Sequence, residues 1–184
     1  MAFINASSPH THKPGTTGDV MRTVVLACIP GIAVLTLFFG LGTLVNLVLC
    51  SAFCLIAEAA CLRLRKRDIS FYLRDLSALV TAFLLAIALP PYAPWWLLFV
   101  GCVFSIVIAK HLYGGLGFNP FNPAMVGYVV LLISFPVEMT TWLSAVASPT
   151  EWVPFSHGIS QVFLGQSLLQ LDAYTGATPL DVMK

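Results

Sequence analysis

Residues 41–62 read LGTLVNLVLCSAFCLIAEAACL and run straight into Arg63-Leu64-Arg65-Lys66-Arg67. Across these 22 residues Glu58 is the single formally charged side chain. About 20 consecutive apolar residues carry an α-helix through the hydrocarbon of a bilayer. A basic cluster at the end of such a run is where a span meets cytoplasmic headgroups. Working outward, a first apolar run covers about Met21 to Phe39, joined to this one by the tight Gly40-Leu41-Gly42 turn. A third, Ser77 to Pro90, is short and ends in Leu89-Pro90-Pro91-Tyr92-Ala93-Pro94. The fourth runs from Trp95-Trp96 to Lys110, and the fifth from Ala124 to about Leu143, interrupted by Pro136. The third run is too short to cross straight. It reads as a broken or half-membrane helix, tolerated only where it lines a protein cavity.

Composition sets the same class. Of 184 residues, 58% are hydrophobic and 9% charged, against about 25% charged in an ordinary soluble domain. So few charges cannot cover a soluble fold, so the apolar surface must meet lipid or protein. The fold class expected is an all-α integral membrane protein of about five transmembrane helices, one of them short or broken. A net charge of +1 gives no bulk electrostatic reason to bind nucleic acid. Residues 1–20 are polar and contain no apolar h-region, so no cleavable secretory signal is expected at the front.

The charges orient the bundle. Lys13, Arg22, Arg63, Arg65, Lys66, Arg67, Arg74 and Lys110 all fall on one side of a five-span arrangement, while Lys184 is the last residue. Between Leu143 and Met183 there is no basic residue, only Glu151, Asp172 and Asp181. The positive-inside rule therefore predicts a cytoplasmic segment 1–20, a membrane bundle 21–143 and an extracytoplasmic segment 144–184. Tyr92, Trp95, Trp96 and Trp142 stand where interfacial aromatics belong. Residues Val162 to Leu171, with Gln161, Gln166 and Gln170 interleaved, predict an amphipathic segment on the membrane surface or against the spans.

Four features could carry chemistry. The stretch Asp172-Ala173-Tyr174-Thr175-Gly176-Ala177-Thr178-Pro179 is rich in turn formers, and Asp172 and Thr175 can organise a local turn that leaves the Thr178 hydroxyl reachable. An ordinary turn reads the same way. Gly114-Gly115-Leu116-Gly117-Phe118-Asn119-Pro120-Phe121-Asn122-Pro123 joins spans four and five. Its asparagines either cap helices or meet polar atoms of a cofactor. Glu58, a carboxylate inside an apolar helix, is a functional candidate or a salt-bridge partner of the Arg63–Arg67 cluster. Asp75, Ser77 and Thr81 open the third span, as caps or as the lining of a polar pocket. The five cysteines, Cys28, Cys50, Cys54, Cys61 and Cys102, contain no CxxC pair and read as small apolar packing residues rather than cluster ligands.

Together these motifs give the chain its resemblance to the RnfD (RsxD) family of the Rnf (Rsx) electron transport complex, which is related to the NqrB family of the sodium-pumping NADH:quinone oxidoreductase. The similarity runs the whole length, from Ala6-Ser7-Ser8-Pro9-His10 through Ala109-Lys110-His111-Leu112-Tyr113-Gly114-Gly115-Leu116-Gly117, Asn119-Pro120-Phe121-Asn122-Pro123-Ala124-Met125 and Gly127-Tyr128 to Phe135-Pro136-Val137. The family's Asp-x-x-Ser/Thr-x-Ala-Thr motif falls on Asp172, Thr175, Ala177 and Thr178. The resemblance implies FMN joined by a phosphoester to Thr178, installed from FAD by a separate flavin transferase. It also implies a place in the bacterial inner membrane with the flavin loop periplasmic. The partners implied are the membrane and peripheral subunits of a complex that couples ferredoxin and NAD chemistry to ion translocation. Family members carry a second block of spans after the flavin threonine, so the resemblance makes residues 1–184 one half of an inverted-repeat bundle. Two other functions are open: the quinone-reducing NqrB type, and a urea-channel-like transporter domain without flavin, in which the broken third span, the Asn-Pro connector and Glu58 would form a solute path.

Overall fold

The structure, a computed structural model, describes residues 15–146, 152–165 and 175. Helix α1 (Thr17–Phe39) opens on a capping box, with Thr16 Oγ1 accepting the Asp19 N–H at 3.2 Å and the Asp19 carboxylate accepting the Thr16 N–H at 3.0 Å. Gly40, at φ 75°, turns the chain into α2 (Gly42–Leu64). These two helices are long and apolar enough to cross a membrane. A short α3 (Ile69–Leu73), which the hydrophobic pattern does not announce, follows the basic cluster and is held by Asp68 Oδ1 accepting the Ser70 N–H at 2.9 Å. Three shorter apolar segments complete the bundle. They are α4 (Ser77–Ala88), α5 (Trp95–Val103) continuing as a π-helix over Phe104–His111, and α6 (Pro123–Ser134).

The chain is thus an all-α membrane protein; among the described residues the one β feature is an isolated antiparallel bridge between Leu143 and Thr175. The fifth run is broken at Pro136, as the sequence suggests, and is not one continuous helix. Pro136 has no N–H to continue the ladder, so α6 stops at Ser134 and a short α7 (Pro136–Thr140) restarts after it. The predicted amphipathic segment, Val162 to Leu171, overlaps a helix that begins earlier in the chain. Helix α8 covers Phe155–Leu164 and ends at Gly165 in the left-handed conformation, φ 60°. Residues 166–171 of the predicted segment lie outside the described residues.

Helix α2 is the axis of the bundle, packed on α1, α4, α5 and the π-helix. Its buried face is a strict every-fourth-residue stripe, Asn46, Cys50, Cys54, Glu58 and Leu62. That is the i±4 ridge along which helices interdigitate. The stripe is apolar in the middle, where Cys102 donates to the Cys50 carbonyl at 3.7 Å, and polar near both ends. Asn46 Nδ2 donates to the Pro90 carbonyl at 2.7 Å, while Glu58 serves the other end. Close approach of α6 depends on absent side chains: a Cβ on Gly127 would collide with Ser105 and the Gly101 carbonyl, and one on Gly101 would lie 2.7 Å from Leu131. Small residues at helix crossings are the usual device in lipid, where burial of apolar surface supplies no extra drive. Outward, Leu26, Ile29, Val34 and Leu37 of α1 and Val48 and Ile56 of α2 are exposed, as a lipid-facing surface requires.

Candidate functional site

Two polar constructions sit at opposite ends of the bundle. At the basic end, Glu58 is 2% exposed and Lys110 likewise 2%, and their Oε1 and Nζ atoms are 2.8 Å apart. Lys110 Nζ also donates to Ser77 Oγ at 2.7 Å. Ser77 in turn gives its hydroxyl proton to Asp75 Oδ1 at 2.6 Å and its N–H to the same oxygen at 2.8 Å. A continuous path of hydrogen bonds therefore runs from Asp75 to Glu58 across α4, the π-helix and α2. His111 Nε2 stands 3.0 Å from Glu58 Oε2, but its N–H does not point along that line, and Nδ1 has no partner among the described residues. Arg65 Nη1 bonds the His111 carbonyl at 3.2 Å.

Local structure explains how consecutive residues reach one carboxylate. In a regular α-helix Lys110 and His111 diverge by about 100°; the wider π turn rotates less per residue, and π segments concentrate at functional positions. Leu76, at φ 59°, is a bulky residue in the left-handed region, and this turn sets Asp75 beside Ser77. The cluster floors a cleft of about 520 Å³ lined further by Arg67, Tyr72, Arg74, Gly115 and Phe118. The expected pairing of Glu58 with Arg63–Arg67 does not form. Glu58 lies on the buried stripe, and its partners come from the end of span four, 52 residues away. The signal available in the sequence is a lone acid in one span and a lone lysine closing another.

At the opposite end, Pro90, Pro91, Tyr92 and Pro94 form one wall of a recess of about 290 Å³, with Trp96, Glu138, Thr141, Leu143, Gln161 and Thr175 around the rest. Tyr92, one of the aromatics the sequence places at an interface, is covered by protein. It is 3% exposed, because Gly42 and Gly158 let α2 and α8 close on its ring, and burial pushes its phenol above the usual range. Gln161 is 8% exposed, and its Oε1 has no hydrogen-bond partner among the described residues. Further contacts brace this end: Trp142 meets Phe39 edge-on at 5.9 Å, and the Val146 N–H donates to the Phe38 carbonyl at 3.0 Å.

Of the four residues Asp172, Thr175, Ala177 and Thr178, Thr175 is described, half-buried and bridged to Leu143; Asp172, Ala177 and Thr178 lie outside the described residues. The structure brings Thr175 to the recess, at the other end of the bundle from Glu58. The connector asparagines make local bonds. Asn122 Oδ1 accepts the Ala124 N–H at 3.0 Å and caps α6, while Asn119 Nδ2 donates to the Phe121 carbonyl at 2.8 Å. Thr81 bonds the Ser77 carbonyl at 3.0 Å inside α4. Sequence reasoning passes over His111, and it treats Gln161 as one of three interleaved glutamines; nothing in spacing singles it out.

An isoalloxazine ring needs a flat apolar slot with a few polar groups at its edge. The recess offers both kinds of group: proline and aromatic side chains on one wall, and on the rest Glu138, Thr141, Thr175 and the buried Gln161 amide, whose oxygen is unpaired among the described residues.

The sequence pattern of the NQR2, RnfD, RnfE family matches residues 4–184. The chain is 51% identical over 193 aligned residues to the D subunit of the ion-translocating oxidoreductase complex of Vibrio atlanticus (strain LGP32), covering 100% of this chain and 56% of that protein. It is 51% identical to the corresponding D subunit of Aliivibrio salmonicida (strain LFI1238) and 49% identical to that of Escherichia coli O7:K1 (strain IAI39 / ExPEC), covering in each case 100% of this chain and 55% of the relative. The chain therefore spans about half the length of the curated relatives it matches. On a whole-chain match and half-identity to three such relatives, with an all-α bundle to fit them, this chain belongs to the NQR2, RnfD, RnfE family.

Proposed function

We propose that this chain is a membrane electron-transfer subunit of an Rnf-type ion-translocating oxidoreductase, carrying FMN through a phosphoester on Thr178. The observation that carries the reading is the spacing Asp172, Thr175, Ala177, Thr178 together with the bridge that ties Thr175 to Leu143, at the end of the bundle away from the basic residues. In the attachment step Thr178 Oγ bonds the phosphorus of the FMN half of FAD, the bridging P–O bond breaks, AMP leaves, and the hydroxyl proton goes to solvent. A flavin transferase performs it, and Asp172, Thr175 and Ala177 are the residues by which that enzyme recognises the site. Once bound, FMN accepts and passes on electrons; the chain's part is to tether it and hold it at one face of the membrane. The basic end then faces the cytoplasm and the motif the periplasm, in a bacterial inner membrane, beside the membrane and peripheral subunits of a complex coupling ferredoxin and NAD chemistry to ion movement.

The test is mass spectrometry of the peptide containing Thr178 from cells expressing the transferase. The peptide is expected to carry the FMN phosphoryl mass, Thr178→Ala to carry none, Thr178→Ser to keep part, and Asp172→Ala to load less. An unmodified wild-type peptide, or full flavin on Thr178→Ala, sinks the assignment.

A further inference from the structure

We propose that the recess bordered by Thr175 is the docking slot for the flavin ring, with the Gln161 side-chain amide pairing to the ring's pyrimidine edge. The proposal rests on the reading that Thr178 carries FMN. Size is the first argument. At about 290 Å³ the recess lies at the lower limit of the roughly 300–1,000 Å³ typical of small-molecule sites. That is room for one planar ring system, not for a whole nucleotide.

Chemistry is the second. Gln161 Oε1 is buried without a partner among the described residues, an unfavourable state for a buried acceptor unless something donates to it. The isoalloxazine ring presents one such donor, N3–H, flanked by two carbonyls. A primary amide offers an acceptor and a donor side by side, so Gln161 can take N3–H on Oε1 and give its own N–H to the neighbouring carbonyl. Of the other lining groups Glu138, Thr141 and Thr175 are polar, while the proline and aromatic side chains form a stiff apolar wall. Tyr92 is fixed between Gly42 and Gly158, and Trp96 is held edge-on against Phe135 at 5.0 Å, so the slot keeps its width.

Reach is the third. Thr175 lines the recess, and Thr178 follows three residues later, within about 10 Å along even a fully extended chain. The ribityl arm covers the rest. The arrangement gives the tethered ring a fixed seat rather than a free swing in water.

The experiment uses the protein purified in detergent from cells expressing the transferase, as wild type, Gln161→Leu and Trp96→Phe. Three quantities are read on each: the mass of the Thr178 peptide, flavin emission, and the quenching of that emission by iodide, with the flavin-bearing peptide from the digest as the fully exposed reference. In the wild type, emission is expected to be low and iodide quenching several-fold weaker than in the free peptide. Gln161→Leu is expected to keep the Thr178 mass while iodide quenching rises several-fold. Trp96→Phe is expected to keep the mass while emission rises several-fold, since an indole against the ring quenches its excited state by electron donation. If Thr178 is modified and both variants match the wild type, the ring docks elsewhere and the slot is wrong while the attachment stands. If Thr178 is unmodified in all three, attachment and slot fall together.

Discussion

At the scale of single residues, the basic end is governed by the cost of burying charge. Glu58 and Lys110 are each nearly sealed from solvent, and each is tolerable only because the other is there. Removing one member of such a pair leaves the other charge uncompensated, at about 3–5 kcal/mol, whereas replacing both is often close to neutral. Lys110→Met is therefore expected to lower the thermal midpoint of the detergent-purified protein strongly, and Glu58→Gln to lower it less, since Lys110 keeps Ser77 and a neutral amide oxygen. The double variant should recover much of the loss. A double-mutant cycle checks this; strictly additive losses would mean the two groups are not coupled. The same balance explains why Glu58 acts as a clamp between α2 and the π-helix. Its charge is already matched by a lysine, and Ser77 continues the path to Asp75.

At the scale of elements, each departure from the apolar pattern has a local cause. Span five breaks at Pro136 for want of an N–H, and span four loosens into a π-helix that brings Lys110 and His111 to one carboxylate. The helix-helix contact with least room is α6 against the α5–π segment, where Gly127 lies on Ser105 and the Gly101 carbonyl. The obstacle includes backbone, which cannot swing away. Gly127→Val is expected to push α6 off the bundle and cost on the order of 1–3 kcal/mol through overpacking, read as a lower thermal midpoint in detergent. Gly115→Ala is a useful contrast: there is open space around it, and the strain of its positive φ, 112°, is the only penalty. Equal loss in both would show that crowding at the crossing is unimportant.

At the scale of the whole molecule, the bundle has two chemically different ends. Arg65, Arg67, Arg74 and Lys110 gather around the cleft, while Tyr92, Glu138 and Thr175 gather at the recess. The proposed orientation, basic end cytoplasmic, predicts that a reporter active only outside the cytoplasm is silent when fused after Arg67 and active when fused after Lys184; the reverse pattern would overturn it. The sequence by itself determined the membrane class, the apolar runs and the asymmetry of charge, because these follow from composition and from periods within single segments. The Asp172 to Thr178 spacing was equally legible, being a local string. Only the tertiary structure decided which polar groups meet. Glu58 is four residues from Leu62 on one stripe, yet it binds a lysine 52 positions away, and Tyr92 is buried by glycines from two other helices. Such pairings depend on helix rotation and crossing, which packing over the entire bundle fixes and no local pattern encodes. Gln161 makes the point most sharply: three glutamines look alike in the sequence, and only the closure of α8 over the recess leaves this one's amide oxygen buried and, among the described residues, unpaired.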